Sequence, residues 1–155
     1  MFVIHSHILK KDYLVIILNV YADLLTKSNQ NHKTAEYAQE NKFYDIAVSR
    51  YYYCLFQLID FILYNKKENY FIPEHVPPHN YTIEQFNALM YRKFRKALSD
   101  EEIADVVVLE NLKKWRQIAD YKNKMISESE FNNDFMKKFS PCYTIINEKI
   151  LSQVV

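Results

Sequence analysis

Residues 42–64 read KFYDIAVSRYYYCLFQLIDFILY, and this stretch decides the fold class. Ala47, Tyr51, Cys54, Leu58 and Ile62 recur at helical spacing, and Tyr52, Phe56, Ile59 and Leu63 form a second stripe beside them. A helix apolar over so much of its girth belongs at the centre of a domain, where more than one side meets apolar neighbours. Arg50, Gln57 and Asp60 leave only a narrow polar seam.

The pattern extends on both sides of this helix. Leu9, Tyr13, Ile16, Val20 and Leu24 predict a helix from about Leu9 to Lys27, although residues 14–18 also read as a buried strand. The polar run Ser28-Asn29-Gln30-Asn31 is expected to end it, and a short helix over 33–40 to follow. Beyond the central helix, Pro73, Pro77 and Pro78 exclude a continuous helix over 65–80. An irregular segment of that length is often functional or mobile. Three capping boxes then mark helix starts: Thr82 with Gln85, Ser99 with Glu102, and Ser127 with Glu130. The helices they open are predicted over Ile83–Leu98, Asp100–Ile126 and Glu128–Leu151, with Pro141 kinking or breaking the last. The expectation is an all-α single domain over residues 1–155, a bundle of five to six helices, with residues 1–31 as an additional N-terminal helix.

Composition agrees. The chain has no glycine among 155 residues, where an average chain of this length carries about ten. This argues against hairpin-rich β folds and excludes a glycine-rich nucleotide loop. Thirteen Tyr and ten Phe supply core and interface. The net charge of +1 gives no global field toward nucleic acid or membrane. Cys54 and Cys142 stand apart in apolar segments and read as buried thiols of a reducing compartment. The N-terminus lacks a basic leader, and the longest strongly apolar uncharged stretch, Tyr13 to Ala22, is too short to span a bilayer. A soluble cytoplasmic protein is expected, with no cofactor and no metal site.

Chemistry concentrates in Lys113-Lys114-Trp115-Arg116-Gln117-Ile118-Ala119-Asp120-Tyr121-Lys122. Arg116 and Asp120 share a helix face, so the carboxylate can orient the guanidinium, and a Tyr hydroxyl beside it completes a phosphate-binding set. An ordinary surface ion pair has the same spacing and is common on exposed helices. Two basic runs add to this: Arg92, Lys93, Arg95 and Lys96, then Lys113, Lys114, Arg116, Lys122 and Lys124. They read equally as an RNA-backbone contact and as solvated helix faces. In the first reading Lys113, Lys114, Lys122, Arg92 and Arg95 would bind RNA.

The stretch Tyr44 to Phe56 resembles the second-helix signature of the HEPN family, in which an Arg and a Tyr-Tyr pair precede an apolar run. Arg116-Gln117-Ile118-Ala119-Asp120-Tyr121 resembles the Arg-x-x-Ala-Asp-Tyr motif of one branch of that family, and Pro78-His79-Asn80 before Phe86 is similar to that branch's His-containing loop. The resemblance covers about residues 33–150. It implies an antiparallel helical bundle, usually a homodimer, and in many members a metal-independent endoribonuclease of toxin-antitoxin or antiviral defence systems, sometimes beside a nucleotidyltransferase partner. The family's active motif is usually Arg followed after four to six residues by His. Here Tyr121 stands at the first of those places, and all five histidines precede Arg116. The resemblance assigns Arg116 to phosphate charge, Asp120 to orienting it, and Tyr121 or His79 to the proton. The alternative is a non-catalytic helical module for dimerisation or for binding a partner or nucleotide.

Overall fold

A computed structural model describes residues 23–67 and 69–154. Their regular elements are all helices, with no strand among the described residues. Helix α1 occupies residues 23–40, α2 Tyr44–Lys66, α3 Pro78–Leu89, α4 Asp100–Val106 and α5 Leu109–Tyr121. The last helical rod, α6, starts at Glu128–Glu130 and runs through Lys137–Thr144. Wider π turns lie at Phe131–Met136 and Ile145–Ile150, and a 3₁₀ turn at Leu151–Gln153 closes the rod.

Helix α2 is the axis of the core. Ala47, Val48, Tyr51, Tyr52, Cys54, Leu55, Leu58, Ile59, Ile62 and Leu63 are all buried. It is long and apolar enough to cross a membrane, but most of its length is covered by the fold itself. Helix α6 faces it with Phe131, Phe135, Phe139 and Tyr143, whose rings stack at 5.9, 5.7 and 5.5 Å in sequence. Their four-residue spacing puts them on one side of the rod. Tyr51 meets Phe139 at 4.5 Å. Pro141 sits inside this rod without breaking it.

Several boundaries differ from the sequence expectation. Of the helix expected over 9–27, residues 9–22 lie outside the described part. The polar run at 28–31 does not end it: α1 continues unbroken through those residues to 40. Ser28 donates to the Cys54 carbonyl at 2.9 Å and Asn31 to Gln57 at 2.9 Å, so polar side chains that would favour a turn find partners on α2. The helix ends later, at a Schellman turn. Phe43 N–H reaches the Ala38 carbonyl at 2.8 Å and Lys42 N–H the Gln39 carbonyl at 3.0 Å. That turn needs a left-handed residue, and in a chain without glycine Lys42 takes it, at φ 60°.

Of the three capping boxes, those of Ser99 with Glu102 and Ser127 with Glu130 are formed in both directions. The Thr82 box is not. Helix α3 begins four residues earlier, with Pro78 at its first position, where a missing N–H costs nothing. Thr82 is thus inside the helix and fully buried, its hydroxyl 2.8 Å from that of Tyr70. The predicted helix over 100–126 is two helices. The β-branched run Val106-Val107-Val108 carries the turn between them, and the second stops at Tyr121. Beyond it Ile126 N–H donates to Asp45 at 3.1 Å, tying the 122–127 segment to the start of α2. Asp60, part of the narrow polar seam, is buried and accepts from Tyr70 at 2.8 Å and Thr82 at 3.3 Å.

Directions follow from these contacts. Helix α5 runs against α2, since Tyr53 meets Arg116 while the earlier Asp45 meets the later Ile126. Helix α3 departs from the expected antiparallel order. His79 meets Tyr52, Thr82 meets Asp60 and Gln85 meets Lys67, so α3 advances in the same sense as α2. The 69–77 segment returns along α2 before α3 starts, and the buried Tyr70 anchors it on the way.

Candidate functional site

Helix α5 carries Arg116 into a notch between α2 and its own C-terminus. The side chain is only 12 % exposed. Its Nε lies 2.7 Å from Asp120 Oδ2, but the N–H is not aimed at that oxygen, so the contact is a close ion pair rather than a formed hydrogen bond. Nη2 donates to the Tyr53 hydroxyl and lies 3.4 Å from that of Tyr121. The guanidinium carbon sits 5.1 Å from the Tyr53 ring and 5.2 Å from the Tyr121 ring, within cation–π range of both. Burial opposes the charge, but the Tyr53 and Asp120 contacts outweigh it and hold the guanidinium pKa above its ordinary value.

His79 enters from the first turn of α3. Its Nδ1 is 2.8 Å from the Tyr52 hydroxyl, and its ring packs on Phe56 at 4.3 Å and edge-on to Tyr53 at 5.9 Å. Tyr53 is therefore shared by His79 and Arg116. Burial, and then the positive charges of Arg116 and Lys113, push the His79 pKa below 6.5. The imidazole is neutral at neutral pH, with Nδ1 engaged by Tyr52. The Tyr52 hydroxyl is itself pushed well above the usual phenol range by burial, against the pull of Arg116.

The other predicted residues divide. Lys113 belongs to the cluster, donating to Asn80 at 2.7 Å and paired with Glu110 at 2.6 Å, so its charge is already matched. Tyr121 is 70 % exposed and forms the outer wall. Lys114 and Lys122 are exposed on the flank. Arg92 and Arg95 are exposed elsewhere. Arg92 shares a groove with Lys66, Lys67 and Lys93 at the far end of α2, about 20 Å from Tyr53 at 1.5 Å per residue. A smaller hollow beside Asp120 is lined by Asp45, Ser49 and Arg50. Among the described residues no three His, Cys, Asp or Glu side chains gather as metal ligands.

Tyr53 reads from the sequence, with Tyr51 and Tyr52, as core or dimer packing rather than as a partner of Arg116. It falls in neither apolar stripe of α2, and it lies three residues after Arg50 and four before Gln57, hence beside the polar seam. That position was the available signal. Asn80, which fixes Lys113, follows His79 directly and carried no signal of its own.

The arrangement offers one oriented guanidinium, an imidazole and three phenol hydroxyls, those of Tyr52, Tyr53 and Tyr121, within a single aromatic cluster. It suits an anionic group at the outer edge of Arg116. Compared with known proteins, the chain matches no family model, no curated protein and no solved structure.

Proposed function

We propose that this is a HEPN-like, RNA-directed protein of the cytoplasm that works as a homodimer, and that it is a metal-independent endoribonuclease of the toxin-antitoxin or defence type. The observation that carries the reading is the convergence of His79 and Arg116 on Tyr53, which brings a neutral imidazole to the motif arginine from another helix. The His79 place in α3 supplies what the sequence after Arg116 lacks.

In the proposed reaction the ribose 2′-oxygen attacks the adjacent phosphorus and the bond to the 5′-oxygen breaks, leaving a 2′,3′-cyclic phosphate and a free 5′-hydroxyl. Arg116 neutralises the charge that grows on the phosphoryl oxygens. His79 Nε2 takes the 2′-hydroxyl proton when Nδ1 carries the hydrogen toward Tyr52, and the depressed pKa keeps the base form present at neutral pH. Asp120 orients Arg116, and the exposed Tyr121 hydroxyl gives its proton to the departing 5′-oxygen and regains one through solvent as the His79 imidazolium loses the 2′-proton. Lys114 and Lys122 flank the track, and Arg92 and Arg95 give a more distant, salt-sensitive hold on the RNA backbone.

One observation favours the second reading, a non-catalytic partner-binding module. Arg116 is largely buried and already engaged by Asp120, Tyr53 and Tyr121, as a purely structural arginine would be. Cleavage of labelled single-stranded RNA in EDTA separates the two. Wild type should cleave, and Arg116→Ala and His79→Gln should each lower the rate at least about a hundredfold. Cleavage unchanged in Arg116→Ala sinks the mechanism. No cleavage by folded wild type favours the module.

A further inference from the structure

On the other side of α2, between α1 and α6, lies a cavity of about 440 Å³ that shares no residue with the Arg116 cluster. Four rings line it: His32, Tyr51, Phe139 and Tyr143. His32 stacks on Tyr143 at 4.7 Å and meets Tyr51 edge-on at 5.5 Å. Two carboxylates, Glu36 and Glu40, also line it, and no Lys or Arg does. His32 Nδ1 lies 3.5 Å from Glu36 Oε2, while Glu40 has no ion-pair partner among the described residues. Rings beside a carboxylate that no cation faces are the chemistry that recognises ammonium groups.

The electrostatics point the same way. The Tyr51 hydroxyl is pushed up to about 12, by burial first and then by the charges of Glu36 and Glu40 among others. Tyr143 is likewise pushed up to about 12, by burial first, with Cys54 and Glu36 adding to it. Negative charge entering the cavity is therefore opposed.

We propose that this cavity binds a small organic cation, an alkylammonium whose apolar body packs against the half-buried His32 and Tyr143 rings, over the buried Tyr51 and Phe139, and whose charge faces Glu36 and Glu40. The site is independent of the ribonuclease reading and stands or falls separately.

Choline is the probe, titrated calorimetrically into the full chain. Its control is the neutral isostere in which carbon replaces the quaternary nitrogen. Choline should bind at least about tenfold more tightly than the isostere. Replacing both carboxylates, Glu36→Gln with Glu40→Gln, should weaken choline about tenfold and leave the isostere unchanged. Both positions are exposed, so the variant keeps its fold. Tyr143→Leu should weaken choline in an unchanged carboxylate background. Equal affinity for the two probes, or no binding of choline at tens of millimolar, overturns the proposal.

Discussion

Removing one hydroxyl from the interior, by Tyr70→Phe, tests the account of how the 69–77 segment is held. Tyr70 is 7 % exposed. Its hydroxyl donates to Asp60 Oδ1 at 2.8 Å and lies 2.8 Å from Thr82 Oγ1. Its ring meets Tyr64 edge-on at 4.8 Å, and phenylalanine keeps that packing, so the loss is confined to the hydroxyl. A hydrogen bond to a charged acceptor contributes about 1.5–3 kcal/mol, and one to a neutral acceptor about 0.5–1.5 kcal/mol. Asp60 has a pKa raised by burial, which the bonds from Tyr70 and Thr82 partly pull back down. A raised carboxyl pKa means that this group's contribution to stability is fully present below its ordinary value of 3.8 and is lost as pH rises through the folded value. Without the Tyr70 bond the folded value rises further, so the variant is penalised most where wild-type Asp60 is ionised. Urea unfolding followed by helical circular dichroism should therefore give a deficit of about 2 kcal/mol near pH 7 that shrinks toward about 1 kcal/mol as pH falls through the raised Asp60 value. A deficit below about 0.5 kcal/mol near pH 7, or one that does not change with pH, would refute the reasoning.

Other expectations are simpler to read. Phe135→Ala removes a ring that is fully buried between Phe131 and Phe139 and should cost about 3–5 kcal/mol in the same unfolding assay. Lys42→Gly relieves a left-handed lysine at the end of α1 and should stabilise by about 0.5–1 kcal/mol, shown as a higher urea midpoint with an unchanged slope. Ser99→Ala deletes a formed capping box and should cost about 1 kcal/mol. The His79 imidazole should titrate below 6.5 by NMR, and Arg116→Gln should move it back upward, because one of the charges that depresses it is gone. The depressed value also means that stability from this group, present above 6.5, is lost as pH falls through the folded pKa. An unmoved His79 titration in Arg116→Gln would place the two residues apart in solution.

What the sequence determined by itself was local. The stripes along Tyr44–Lys66 announced a central helix because helical periodicity is written in side-chain order and needs no partner to be seen. The Ser99 and Ser127 caps were legible for the same reason: donor and acceptor lie within one turn. The Arg116–Asp120 pair was legible too, as two residues on one helix face. Whatever depended on a distant partner was decided only by the tertiary structure. Ser28 and Asn31 stay helical because α2 offers them acceptors, and Thr82 is no cap because Tyr70 and Asp60 hold it in the interior. The sense of α3, and with it the arrival of His79 beside Tyr53 and Arg116, follows from a return loop whose path no periodicity encodes. Short-range geometry is set by the order of residues along the chain. The candidate site is set by burial and by hydrogen bonds across helices, and those exist only once the helices have packed.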